Sequence, residues 1–118
     1  MINMKESSLL DRIRLELDQA HLYRTRGKEG RARVCARRAA GWAVAVFRQE
    51  RSGAETHPNA YHQLRWFRKL EDMPIELRKA ANRLTTHVTP SHDLPYHEDP
   101  LEDAEMIVHA LLNELKCG

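Results

Sequence analysis

Apolar residues recur at helical spacing along most of the chain. In residues 8 to 25 they lie three or four positions apart, and charged side chains fill the remaining positions. The apolar set is Leu10, Ile13, Leu17 and Ala20. This pattern predicts an amphipathic first helix. No segment shows a sustained alternation of apolar and polar residues, so the sequence predicts an all-α protein.

The second helix is predicted from residue 29 to about residue 51. Its apolar stripe is unusually wide and consists of Cys35, Ala36, Ala39, Ala40, Trp42, Ala43, Val46 and Phe47. A helix with such a wide apolar face needs neighbours on several sides. We therefore expect it in the middle of a bundle.

Two shorter helices are predicted next. Gly53 and the segment 56–58 interrupt the second helix, and Pro58 suits the first turn of a helix of about three turns. Its apolar positions are Tyr61, Leu64, Phe67 and Leu70. Another short helix begins at Pro74, with Leu77, Ala80, Ala81, Leu84 and Val88 facing inward. The two short helices could pack as one broken element.

The last helix has a clear start signal. Asp99 is placed to cap it, Pro100 takes the first helical position, and Glu102 follows in a capping-box arrangement. Its core stripe is Leu101, Ala104, Val108, Leu111 and Leu115, and residues 89–98 are predicted to form a loop. Residues 1–118 are thus predicted to form one domain, an antiparallel up-and-down bundle of four main helices with one broken or additional short helix.

Composition and cysteine usage suggest a cytoplasmic protein. Hydrophobic residues make up 42% of the chain and charged residues 31%, a balance typical of a domain that folds in water. The longest apolar run, residues 43–47, falls far short of the roughly 20 residues that a membrane span needs, and we see no signal peptide. The chain has only two cysteines, so we expect no disulfide framework. Cys35 is predicted to be a buried, inert thiol rather than a nucleophile.

Charge is unevenly distributed. Residues 24–38 carry seven basic side chains against the single acid Glu29, whereas residues 98–118 are strongly acidic. One interpretation is that the acidic last helix neutralises the basic segment, within one molecule or across a dimer. The other is that the basic segment binds nucleic acid or a nucleotide. The candidate anion-binding residues are Arg31, Arg33, Arg37 and Arg38.

Neither the histidines nor the aromatic residues form a recognisable site. His87, His92 and His97 recur every five residues, but this spacing matches no common zinc motif. We therefore expect no metal and no cofactor. The helical spacing of the aromatic side chains favours packing over stacking on bases, and these residues are Trp42, Tyr61, Trp66 and Phe67.

Three segments together resemble the HEPN superfamily of small helical bundles. They are the Ala-rich run 32–44, the His-x-Leu segment 62–64 with the preceding tyrosine, and the run 73–84 that continues after Pro74. The order of these segments agrees with the family, and the resemblance covers most of the chain. It implies a helical bundle. Some members of the family are inactive partners of minimal nucleotidyltransferases, and many others are RNases.

The family's RNases carry an arginine and a histidine separated by four to six residues, in a site composed from two protomers. Arg83 and His87 are one residue short of this spacing, although both fall on one helical face. Our leading prediction is a non-catalytic HEPN-like homodimer that binds a nucleotide, RNA or a protein partner, possibly a nucleotidyltransferase. The alternative is a metal-independent RNase that uses Arg83 and His87 as catalytic residues.

Overall fold

Five helices make up most of the structure. The computed structural model describes residues 4–53, 59–86 and 96–117, and no β-strand occurs in these ranges. The helices are α1 (Met4–Thr25), α2 (Glu29–Ser52), α3 (Ala60–Phe67), α4 (Ile75–Leu84) and α5 (Pro100–Cys117). The all-α prediction is confirmed. In the part of the chain that the structure describes, no helix combines the length and the apolar character that crossing a membrane requires.

The central element is α2, which packs against α1, α3 and α5, while α4 packs against α3 and α5. The predicted wide apolar face is confirmed, because Ala36, Ala39, Ala40, Ala43 and Val46 are all completely buried. The small alanine side chains let three neighbouring helices approach α2 closely. Trp42 and Phe47 close the edges of this face and are only partly buried.

Glycines in the left-handed conformation mark both ends of the α2 region. Gly27 has a φ of 73° in the turn between α1 and α2, where the amide of Lys28 donates to the carbonyl of Tyr23 at 2.8 Å. Gly53 has a φ of 71° and donates its amide to the carbonyl of Gln49 at 2.7 Å. This is a typical glycine stop for a helix, as the sequence predicted for Gly53.

The start of α3 differs from the prediction. The helix begins at Ala60 rather than around Pro58, because the side chain of Asn59 accepts the amide of His62 at 3.1 Å and caps it. Pro58 itself lies outside the described residues. The helix is also shorter than three turns, since it ends at Phe67 and Leu70 follows in a turn.

Most predictions for α4 and α5 agree with the structure, while the capping-box contact of Glu102 and the inward position of Leu115 stay predictions. The amide of Leu101 donates to the Asp99 carboxylate at 3.2 Å, so Asp99 caps α5. The inward side chains of α4 and α5 are buried and include Leu77, Ala80, Ala81, Leu84, Leu101, Ala104, Val108 and Leu111. Val88 and most of the predicted loop lie outside the described residues. One polar side chain on α5, Asp103, is buried among them, and the sequence did not predict this.

Candidate anion-binding site

The four predicted anion-binding arginines project from α2 in two pairs. Arg31 and Arg38, two turns apart, both lie toward α1. The guanidinium of Arg31 stands 5.8 Å from the centre of the Tyr23 ring, and Arg38 approaches a carboxylate oxygen of Glu16 at 3.7 Å. Both arginine side chains are exposed, so these contacts leave most of each guanidinium open to solvent.

Arg33 and Arg37 form the second pair, one helical turn apart. No carboxylate of the described residues forms an ion pair with either of them. Burial, followed by the nearby charge of Arg33, lowers the pKa of Arg37. A half-buried cation with a cationic neighbour is electrostatically unfavourable until an anion joins it. This is the strongest sign of an anion site on α2.

An open cleft of about 650 Å³ lies beside Arg37, where α3 begins against α2. Its described lining is Val34, Arg37, Arg38, Trp42, Asn59, Ala60 and Tyr61. The two helices approach closely at Gly41, which faces Ala60, one of the lining residues. A Cβ atom added to Gly41 would lie 2.5 Å from the Cα atom of Ala60 and 2.6 Å from its carbonyl oxygen. Only glycine allows this approach.

Trp42 and Tyr61 give the cleft an aromatic surface. Helical spacing predicted packing for both residues. Trp42 does pack against the core, but both side chains are only partly buried. The guanidinium of Arg12 stands 4.5 Å from the centre of the Trp42 ring and covers one of its faces. By contrast, the packing prediction for Phe67 is confirmed, because its side chain is fully buried. Trp42 lies one helical turn after the exposed Arg38. This spacing was the sequence signal that could have placed Trp42 in the cleft.

Among the described residues, one arginine of the basic segment pairs with a carboxylate at the start of the acidic helix. Arg24 donates to both carboxylate oxygens of Asp99, at 2.6 and 2.7 Å, and also contacts Glu29 at 2.9 Å. The hydrogen bond from Arg24 lowers the pKa of Asp99. The α2 arginines take no part in this arrangement. Neutralisation within one molecule therefore accounts for Arg24, whereas anion binding by the α2 arginines and neutralisation across a dimer stay predictions.

Arg83, the candidate catalytic arginine, lies in a structural ion pair. Its Nε and Nη2 atoms donate to the two carboxylate oxygens of Asp103 at 2.8 and 2.9 Å, and this hydrogen bonding raises the pKa of Arg83. The carbonyl of Arg83 also accepts the hydroxyl of Tyr96 at 3.0 Å. These contacts join α4, the segment before α5, and α5. His87, the other candidate catalytic residue, lies outside the described residues.

No family model, curated protein or solved structure matches this chain. The HEPN resemblance therefore rests on the sequence pattern, and the geometry of the cleft has to support any function by itself. The cleft offers guanidinium groups for an anion and aromatic surface for a planar group. It shows no nucleophile with a base beside it among the described lining residues.

Cys35 and the histidines do not extend the site. Cys35 is buried, and burial together with a hydrogen bond to Glu16 raises the pKa of its thiol to about 11. The thiol is therefore protonated near neutral pH, as expected for an inert core cysteine. His97 is exposed, while His87 and His92 lie outside the described residues. Within the described ranges, no three potential metal ligands come together.

Proposed function

We propose that this protein is a non-catalytic helical module that binds the phosphate and base of a nucleotide or of RNA in the α2–α3 cleft. One observation carries the proposal. Arg37 is a half-buried cation without a described carboxylate partner, and it opens onto a cleft that also contains Arg38 and Trp42.

The chemistry of the cleft suits a nucleotide better than a simple anion. A phosphate group accepts hydrogen bonds from guanidinium groups in a fork geometry and would offset the repulsion between Arg37 and Arg33. Aromatic side chains stack on bases with little regard to sequence. Trp42 and Tyr61 provide such surface within the same cleft as Arg37. A cleft of about 650 Å³ also falls within the usual size range for ligand pockets.

The proposal extends to the architecture that the sequence resemblance implies. In it, α3 and α4 act together as one broken third helix of an antiparallel up-and-down bundle of the HEPN type. The hydrogen bond from Arg78 Nε to the carbonyl of Arg68 at 3.2 Å supports this, because it links the end of α3 to α4. A nucleotidyltransferase is then a candidate protein partner, by analogy with inactive members of that superfamily.

Binding of a fluorescently labelled single-stranded RNA, measured by anisotropy across a salt series, tests the function. We expect affinity to fall log-linearly with salt, with a slope of about −0.7 for each contacted phosphate. Arg37→Gln is expected to weaken binding by roughly tenfold or more and to reduce the slope by about 0.7, because one charge-assisted contact is lost.

Arg14→Gln is the matched control, since Arg14 is exposed on α1 and forms no ion pair with any described residue. It removes the same charge and should leave affinity nearly unchanged. Absence of binding at low salt, or equal effects of the Arg14 and Arg37 variants, would contradict the proposal. Cleavage of the RNA in EDTA by the wild type, but not by His87→Ala, would instead favour the RNase alternative.

We also propose that the protein forms a homodimer. The apolar faces of α2 and of the described part of α5 pack against other helices of the same chain. Large apolar side chains remain exposed at Leu15, Leu22 and Met106. Symmetric dimers are the commonest oligomers, so light scattering at micromolar concentration should give twice the 13.7 kDa chain mass. A monomer mass would contradict this prediction.

A further inference from the structure

A second basic surface lies on the outward face of α4, apart from the α2–α3 cleft. Ile75, Arg78, Lys79 and Asn82 follow one another at spacings of three, one and three residues, which places them on a single side of the helix. The opposite side carries the buried α4 residues. Together with Arg68 and Lys69 at the end of α3, these side chains line an open groove of about 560 Å³, here called the α3–α4 groove.

Two arginines of the α3–α4 groove are held in place by local hydrogen bonds. Arg68 Nη1 donates to the side chain of Asn82 at 3.1 Å, and Arg78 Nε donates to the carbonyl of Arg68 at 3.2 Å. Each guanidinium keeps further donors, since only some of its five N–H groups are used. A fixed donor array loses less conformational entropy when it binds an anion than two mobile side chains would.

The lining indicates the kind of partner. The groove contains no aromatic side chain among its described residues, so it offers no aromatic ring for a base to stack on. Glu71 is the one acid among these residues and is outnumbered by the cations. The apolar element is Ile75, with 53% of its surface exposed between the cations. An aliphatic side chain flanked by cations complements a peptide that alternates carboxylates with aliphatic residues.

The protein already shows this mode of contact at the rim of the groove. Arg83, which also lines it, binds the carboxylate of Asp103 presented by a helix, α5. We infer that the α3–α4 groove is a docking surface for an acidic amphipathic segment of a protein partner. Its carboxylates pair with Arg68, Arg78 and the two lysines, and an aliphatic residue covers Ile75. This surface does not depend on ligand binding in the α2–α3 cleft.

The probe is a capped peptide of about 12 residues, roughly three helical turns, made of repeated Glu-Glu-Leu-Glu. Titration into the isotopically labelled full chain, followed by NMR, should shift backbone amides of α4 and the end of α3. Lys69→Gln/Lys79→Gln should weaken binding at least about tenfold, because two exposed charge partners are lost. Ile75→Ser should weaken it several-fold, because the aliphatic contact is lost.

Three controls make the result decisive. Arg14→Gln/Arg26→Gln removes two exposed charges from α1 and its turn and should leave peptide affinity nearly unchanged, as should Arg37→Gln in the other cleft. A peptide with glutamine in place of glutamate should not bind. Failure of millimolar peptide to shift the α4 amides would overturn the inference. So would displacement of the peptide from this groove by oligouridylate, together with no effect of Ile75→Ser, because that outcome identifies a nucleic-acid surface.

Discussion

Replacing Arg83 with alanine is expected to lower the free energy of unfolding by about 3–5 kcal/mol, the usual cost of removing one partner from a buried ion pair. The side chain of Asp103 is only 4% exposed, and that of Arg83 is 16% exposed. Without Arg83, the carboxylate of Asp103 would stay among apolar neighbours on α5 and lose both short hydrogen bonds. The loss falls where α4 and α5 pack together.

Chemical denaturation can isolate the interaction between Arg83 and Asp103. The free energy of unfolding is measured for four proteins: the wild type, Arg83→Ala, Asp103→Ala and the double variant. We expect the double variant to lose clearly less free energy of unfolding than the two single variants lose together, because it leaves no unpaired charge in the interior. Asp72→Ala is the control. It breaks the Arg51–Asp72 pair, whose side chains are 43% and 57% exposed, and should leave the free energy of unfolding nearly unchanged, because solvent screens an exposed pair. Additive costs at Arg83 and Asp103 would contradict the assignment.

This expectation changes how a nuclease test is interpreted. If Arg83→Ala abolished an activity, the loss could follow from unfolding, because Arg83 joins α4 to α5 and its carbonyl also accepts the hydroxyl of Tyr96. A catalytic role for Arg83 would require its guanidinium to leave Asp103 and bind a substrate phosphate. His87→Ala is therefore the more informative variant for the RNase alternative.

Helical periodicity predicted the elements well because it depends on local sequence. The alanine-rich face of α2, the glycine stop at Gly53 and the cap at Asp99 each act over a few residues, and the structure confirms all three. The start of α3 was misplaced because Pro58 and Asn59 both favour a helix N-terminus. The side chain of Asn59 supplies the capping hydrogen bond, so the helix begins one residue after it.

Contacts between distant segments were not predictable in the same way. An aspartate in the first turn of a helix normally indicates an exposed residue that favours the helix dipole, so Asp103 gave no sign of burial. Its partner lies 20 residues earlier on another helix. The cleft likewise needs the start of α3 to meet α2. Gly41 was the available signal, since a glycine inside a strong helical pattern often marks a close approach of two backbones.

Gly41→Ala is the second substitution with a large expected effect, and it should destabilise the protein although alanine favours helices. Replacing an exposed glycine inside a helix with alanine stabilises the folded protein by up to about 1 kcal/mol. At Gly41 the new Cβ atom would overlap the Cβ atom of Ala60 and lie 2.5 Å from its Cα atom. Backbone atoms cannot rotate away, so α3 must shift. Such overpacking typically lowers the free energy of unfolding by about 1–3 kcal/mol. We expect a value at the upper end of this range, because the clash is with backbone atoms.

Thermal denaturation with a matched control tests the prediction. Gly30 lies on the same helix, and a Cβ atom added there would meet no atom within 4 Å, so Gly30→Ala should be neutral or slightly stabilising. Gly41→Ala should lower the melting temperature by roughly 5–10 °C. Adding Ala60→Gly should recover only part of this loss, because it removes the overlapping Cβ atom but leaves the Cα atom and carbonyl oxygen of residue 60 in place.

Because the shift of α3 would also distort the cleft, Gly41→Ala should weaken RNA binding even well below its melting temperature. A Gly41→Ala protein as stable as Gly30→Ala would show that α2 and α3 do not meet as described.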